Sequence, residues 1–198
     1  MEKEIRSGTG IIAKHNDRFV FAIGSNRFWM QEEVDLSITY TAIGGKVEEG
    51  ETFVSAAIRE AQEEANTDVD LIDSTKTLLW DFTTGNCRIV RLKEKIIRPV
   101  IIYKRRGNDM WVVYVFLASF KTEPRPNIEV PALLLLHKNF LIDKRYISVE
   151  EHIKRGNIIL EQEKNAIPRD AILKPFGSAK IINDLNEQQF SELITANY

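Results

Sequence analysis

One cysteine among 198 residues leaves Cys87 with no partner in the chain, which excludes a scaffold held together by disulfides. Six prolines and ten glycines, spread along the sequence, fit neither collagen nor a low-complexity linker. Long apolar runs are missing as well. The longest, Trp111 to Ala118, is far short of the ~20 residues that a membrane-spanning helix needs. The opening Met1-Glu2-Lys3-Glu4-Ile5-Arg6 is charged and shows no apolar segment of a secretory signal. The expectation is a soluble cytoplasmic protein with no membrane partner. Neither sign of charge is in large excess: 27 basic residues stand against 29 acidic ones, a net charge of −2. That net charge argues neither for nor against nucleic acid, but the sequence pI near 6.0 disfavours it as a partner.

What is present reads as globular. The chain is 43% hydrophobic and 28% charged. Its length suits one domain spanning 1–198, with a helical extension expected from about residue 145. Residues 8–13 and 18–23 read as strands around the turn His15-Asn16-Asp17. Two further hairpins are expected, 76–82 with 87–93 and 99–104 with 110–120, each around a Gly/Asn-containing turn. Trp111 to Ala118 is β-branched and aromatic without alternation, as in a central strand buried on both faces. Residues 131–138 suit either strand or helix, whereas 52–66, 148–155 and 178–194 read as helices. The fold class is therefore mixed α/β.

Charge is unevenly distributed. Eight acidic residues lie between Glu48 and Asp70 against Arg59 alone, and eight basic residues lie between Arg88 and Arg106 against Glu94 alone. Within the helix FVSAAIREAQEEA, the apolar stripe is Val54, Ala57, Ile58, Ala61 and Ala65, with Thr52 as N-cap. Glu60, Glu63 and Glu64 crowd another face at i, i+3 and i+4. Such like-charge pairs cost roughly 0.2–0.5 kcal/mol each in an isolated helix. They also lie near the C-terminal end, where the helix dipole disfavours anions. A solvated acidic face is one reading. A bound divalent cation is the other, and hard oxygen donors suit Mg²⁺ or Mn²⁺.

The residues before the helix favour the cation. Ile43-Gly44-Gly45-Lys46-Val47-Glu48-Glu49-Gly50-Glu51-Thr52 is a glycine-punctuated loop in which backbone can approach a ligand closely. Gly45, five residues, Glu51, seven residues, Arg59-Glu60, then Glu63-Glu64 resembles the signature of the Nudix hydrolases, G-x5-E-x7-R-E-U-x-E-E-x-G-U. All six of the fixed glycine and charged positions from Gly45 to Glu64 match, a coincidence on the order of 10⁻⁵ at average residue usage. The departures are Ala61 for a bulky aliphatic, Asn66 for glycine and Thr67 for the last aliphatic. Asn is the usual substitute for glycine in a left-handed helix terminus, so Asn66 is read as preserving the shape.

The resemblance implies an α/β/α sandwich around a mixed β-sheet. It also implies hydrolysis of a pyrophosphate bond in a nucleoside diphosphate linked to another moiety, with Mg²⁺ or Mn²⁺ as cofactor. Glu60, Glu63 and Glu64 would hold metal, with the Gly45 carbonyl as a candidate ligand, and Glu51 and Arg59 would form an orienting ion pair. A base outside the signature is sought in Glu123 or Glu129. Candidate substrate contacts are Arg88, Arg91 and Arg98 from the basic segment, where only a minority of side chains can point one way, and Trp29 as a stacking residue. Trp111 is assigned to the core, and the histidines show no ligand spacing. The residues past the signature, Asp81-Phe82-Thr83-Thr84-Gly85, carry neither the proline of many ADP-ribose pyrophosphatases nor the tyrosine of dinucleoside polyphosphate hydrolases. The family is often dimeric, which suggests a homodimer. The alternative function is a nucleotide-sensing module that has lost most hydrolysis, motivated by Ile43, Asn66 and Thr67.

Overall fold

The computed structural model of the chain describes residues 5–93, 96–106, 109–162 and 166–198. Residues 1–4, Glu94 and Lys95 of the basic segment, Gly107 and Asn108 of the third expected turn, and residues 163–165 lie outside them. β1 (Ile5–His15) turns through Asn16, whose φ of 56° is the left-handed conformation Asn tolerates, and returns as β2 (Arg18–Ile23). β3 (Met30–Gln31) and β4 (Leu36–Thr41) precede the glycine loop and α1 (Phe53–Ala65). Next come β5 (Val69–Ile72), β6 (Thr77–Asp81), β7 (Cys87–Val90), β8 (Ile101–Arg106) and β9 (Met110–Phe120). After β10 (Ala132–His137) come α2 (Lys138–Leu141), α3 (Val149–Lys154) and β11 (Ile158–Glu161). β12 (Ile172–Pro175), α4 (Gly177–Asp184) and α5 (Glu187–Leu193) complete the chain.

The described strands form one mixed sheet with the path β11-β10-β2-β1-β9-β8-β6-β7. β4 joins it through β2 and carries β3 and β12, while β5 pairs with β9. β1 runs parallel to β9, β6 to β8 and β12 to β4; the other pairs are antiparallel. Side-chain alternation divides the core into two layers. Ile11, Val20, Phe116 and Leu133 pack with Ala57, Ala61 and Ala65 of α1. Ile12, Phe21, Leu117 and Leu134 face the other way, against Ile181 and Ile182 of α4 and Phe190 and Leu193 of α5. This is the expected α/β/α sandwich. No helix among the described residues is long and apolar enough to cross a membrane.

The three expected hairpin pairings form. The ambiguous 131–138 run is strand β10, because it lies between β2 and β11 with both faces covered. The helix expected over 178–194 is two helices. Leu185 is extended (ψ 147°), and Asn186 starts α5 by accepting from the Gln189 N–H at 2.8 Å. The segment after residue 145 is not purely helical either: it adds β11 and β12 to the sheet, and the β4 edge positions β12.

Thr52 caps α1 through a reciprocal pair with Ser55, and Asn66 ends it at φ 51°, ψ 37°, in the left-handed region. Thr67, in place of an aliphatic, is buried and its hydroxyl bonds the Thr122 hydroxyl at 2.7 Å. Both departures from the signature therefore leave the loop–helix geometry intact. Asn66→Gly is expected to hold stability within about 0.5 kcal/mol, and Asn66→Val to lose about 1–2 kcal/mol, because a β-branched residue resists the left-handed conformation. Denaturant midpoints of the two variants check this.

Candidate active site

α1 approaches the sheet closely because its inward residues are small. Ala57, Ala61 and Ala65 are fully buried against β1 and β9 side chains. The inward stripe differs from the one the periodicity suggested. Ile58 is 36% exposed, whereas Glu60 is only 5% exposed. A helix that turns an aliphatic to solvent and a carboxylate inward is choosing its rotation for something other than apolar burial.

The loop before α1 explains that rotation. It lies along β1: Thr9 N–H donates to Gly45 O at 2.9 Å, Ile11 N–H to Ile43 O at 2.8 Å and Val47 N–H to Ser7 O at 3.0 Å. At Gly44 a side chain is impossible, since φ is 153° and a Cβ would stand 2.3 Å from Thr9 O. At Gly45 a Cβ would stand 2.5 Å from Glu60 Oε1. The two glycines thus let backbone lie against the carboxylates. Gly44 N–H donates to Glu64 Oε2 at 2.9 Å.

Arg59 ties the acids together. Its Nε donates to Glu51 Oε1 at 2.8 Å and its Nη2 to Glu51 Oε2 at 3.1 Å, a bidentate pair. Nη1 donates to Glu60 Oε1 at 2.9 Å and to Glu63 Oε2, and Nη2 also reaches Lys46 O at 3.0 Å. Glu51 Oε2 additionally accepts from Glu48 N–H at 2.9 Å. Arg59 and this backbone contact hold the Glu51 carboxyl below the usual carboxylate range.

The loop between β9 and β10 adds a further carboxylate on the α1 side of the sheet. Arg125 N–H donates to Ala65 O at 2.9 Å and Asn127 N–H to Glu64 O at 3.1 Å, which satisfies carbonyls at the α1 C-terminus. This delivers Glu129, and one oxygen each of Glu60, Glu63 and Glu129 lie within 4.8 Å of one another. Glu123, by contrast, is exposed beside Arg125 and takes no part.

The electrostatics are under-compensated. Burial pushes the Glu60 carboxyl upward despite Arg59. Burial, with Glu60, Glu129 and Glu63 adding repulsion, pushes Glu64 from 4.5 to about 8 although Gly44 N–H opposes it. Five carboxylates, Glu51, Glu60, Glu63, Glu64 and Glu129, share one guanidinium among the described contacts, and a set so short of positive charge fits a hard divalent cation. Gly45 O already accepts from Thr9 and keeps one lone pair free.

These acids form one wall of a cavity of about 1030 Å³ that contains Glu60, Glu64 and Glu129 together with Arg27, Phe28, Lys46, Arg105, Trp111 and Phe176. The structure sets the expected substrate contacts apart from one another. Trp29 is partly buried against the core, with its indole N–H donating to Gly24 O at 2.8 Å; its neighbour Phe28 lines the cavity. Trp111, assigned to the core, is a cavity residue. Arg98 is clamped by Asp73 at 2.5–2.9 Å. Arg88 lies in a separate groove of about 260 Å³ beside β6 and β8, and Arg91 is exposed and lines neither space. Among the described basic residues of that segment, Arg105 is the one that lines the cavity. No local pattern distinguished Arg27, Phe28 or Phe176; they meet only through the pairing of β4 with β12 and of β8 with β9.

In sequence, the NUDIX domain family matches residues 13–162. No curated protein matches the chain. Among solved structures, a hydrolase of the NUDIX family from Clostridium perfringens is similar at 20% identity and a TM-score of 0.49, over 69% of this chain and 83% of that one. A MutT NUDIX hydrolase from Burkholderia pseudomallei, also at 20% identity, has a TM-score of 0.45 over 69% and 86% of the two chains. The E. coli ORF135 protein is similar at 14% identity and a TM-score of 0.46, over 70% and 77%.

The raised Glu64 pKa links stability to pH. Its contribution is complete below about pH 4.5 and is lost as pH rises through about 8, where the buried carboxyl must ionise. Buried His152, bonded to Asn157 and pushed down to about 4, acts in the opposite sense, but only below 6.5. The melting temperature of chelator-treated protein is therefore expected to fall between about pH 6.5 and 8.5. Added Mg²⁺ or Mn²⁺ should reverse the fall, and Glu64→Gln should flatten it; a calorimetric series with and without metal reads all three.

Proposed function

The chain belongs to the Nudix family of pyrophosphohydrolases, and on that premise we propose that it hydrolyses a nucleoside diphosphate linked to another moiety, by attack of water at phosphorus. The observation that carries the proposal is the cluster of Glu60, Glu63 and Glu129 with Glu64 beside it, offset among the described residues by Arg59, at the wall of a cavity whose other lining charges are basic.

In this reading Glu60, Glu63 and Glu64 hold Mg²⁺ or Mn²⁺, with the Gly45 carbonyl available beside them. Bound there, such a cation would supply charge neutralisation at the pyrophosphate and activation of water near neutral pH. Arg59 is a positioning residue: its fork fixes Glu60 and Glu63 while Glu51 fixes Arg59. Glu129 takes the proton from the attacking water, since its loop-borne carboxylate reaches the cluster without a guanidinium contact. Lys46, Arg27 and Arg105 face the substrate's remaining phosphate charge. Nucleotide sensing without turnover would be favoured by a distorted signature, and the left-handed Asn66 argues against distortion.

The test is turnover of a panel of nucleoside triphosphates, ADP-ribose, nucleotide sugars and dinucleoside polyphosphates with Mg²⁺ or Mn²⁺. Glu63→Gln and Glu64→Gln are expected to lower kcat at least ~10²-fold and to weaken metal binding. Glu129→Gln should lower kcat by ~10²–10⁴-fold while metal affinity changes little. Glu123→Gln should match the wild type. Nucleotide binding with no turnover across the panel would move the assignment to sensing.

A further inference from the structure

Glu129 is the one carboxylate of the cluster that neither the glycine loop nor α1 carries, and burial does not hold it in place. Ile128 beside it is 90% exposed, Glu129 itself is exposed, and the chain re-enters the core at Val130. The stretch is a β-turn instead. Val130 N–H donates to Asn127 O at 3.1 Å, which leaves Ile128 and Glu129 as the two central residues. Asn127 fastens the near side of this turn to the end of α1. Its N–H donates to Glu64 O at 3.1 Å and its side-chain amide to Gln62 O at 3.2 Å.

A second hydrogen-bonding group reaches the turn from another strand. Gln162 directly follows β11, whose pairing with β10 sets Glu161 across from Ala132. One step further on, Gln162 N–H donates to Pro131 O at 3.0 Å, which fixes its backbone beside the turn. Its side-chain nitrogen donates to Val130 O at 2.9 Å and also to Asn127 O. Those carbonyls belong to the first and last residues of the turn, so one amide spans it from end to end. An amide nitrogen has two hydrogens to give and can serve both carbonyls at once. A carboxylate at this position would set oxygen against oxygen, and a hydrocarbon would give neither carbonyl a partner. These bonds reach the turn rather than α1, so they act on Glu129 without passing through Arg59.

We propose that Gln162 is a positioning residue for Glu129: its amide clamps the turn 127–130, and the clamped turn presents the Glu129 carboxylate to Glu60 and Glu63. The inference rests on the hydrolase reading for the task of Glu129 in turnover, but the clamp itself can be measured without hydrolysis. An exposed turn has little packing of its own to define where its central residues stand. With the amide gone, Asn127 still ties one side to α1, while the Val130 side loses its hold. A displacement of about 1 Å at a reacting group can cost on the order of 10²-fold in rate. The loss belongs in kcat, because Gln162 acts on the carboxylate that handles the water and not on the groups that face the substrate's phosphates.

The experiment compares the full chain with Gln162→Met, which keeps the length of the side chain and removes its donors, by amide hydrogen exchange and by turnover. Exchange at Val130 N–H is expected to accelerate ~10-fold or more, while exchange at Asn66 N–H, which donates to Gln62 O inside α1, stays as it was. On the panel substrate hydrolysed fastest, kcat should fall ~10–10²-fold, with KM and Mn²⁺ affinity within about 3-fold of the wild type. In a Glu129→Gln background the same substitution should cost nothing further, since the two changes then remove one function. Gln162→Asn, one methylene short of both carbonyls, is a second variant with the same expected pattern should the first fail to fold. Unchanged exchange at Val130 overturns the clamp. A kcat that stays at the wild-type value when Val130 exchange accelerates, or that falls equally with and without Glu129, overturns the positioning role. Accelerated exchange in a protein without turnover, or in one whose Glu129→Gln variant keeps full kcat, leaves the clamp standing and removes only the hydrolase reading or the base assigned to Glu129.

Discussion

One guanidinium against a crowd of carboxylates is the interaction on which the rest of the site depends. Arg59 spends its donors on Glu51, Glu60, Glu63 and the Lys46 carbonyl. Those contacts fix the rotation of α1, the path of the glycine loop and the separation between them. They do not balance the charge. Glu64 receives only a backbone N–H, and Glu129 arrives from another part of the chain. The residual repulsion is of the kind that a divalent cation would relieve.

The scaffold makes that strain tolerable. Alanines at 57, 61 and 65 let α1 pack tightly on β1 and β9, where larger side chains would hold the carboxylates away from Gly44 and Gly45. Ala61, a departure from the bulky aliphatic of the family pattern, belongs to this set. The loop 123–130 joins the same logic, because the hydrogen bonds that satisfy the α1 carbonyls also hold Glu129 at the site. Helix termination and site assembly here are one structural event.

What was legible in the sequence was local. Spacing placed Glu51, Arg59, Glu60, Glu63 and Glu64 around one loop and helix, and turn chemistry placed the hairpins. Asn66 was readable as a left-handed residue because its side chain has a known reason to sit there. Period counting misjudged Ile58 and Glu60, since it rewards apolar burial and this helix is rotated to bury an acid. The arginines were misjudged for a different reason. Arg98 and Arg105 belong to one basic run, yet Asp73 neutralises the first and Phe176 stacks on the second, and both partners are distant in sequence. Trp29 and Phe28 are neighbours, and only the fold decides that the indole turns to Gly24 while the phenyl turns to the cavity.

The same distinction bears on how such a site acquires its selectivity. Metal and phosphate chemistry demands fixed distances between charges, and a loop joined to a helix can encode those within about 23 residues, from Gly45 to Thr67. The shape that meets the rest of a substrate has no such requirement. It can be built from whatever the sheet's edges carry: here β4 and its partner β12, β8, and the first residues of β9. Residues that meet by strand pairing are held separately from Arg59 and its acids: among the described residues, Arg105 stacks on Phe176, and Phe176 N–H is held by Tyr40 O. The carboxylate end of the cavity is therefore constrained by its own repulsion. The aromatic end, assembled by strand pairing, carries no comparable crowding of like charge.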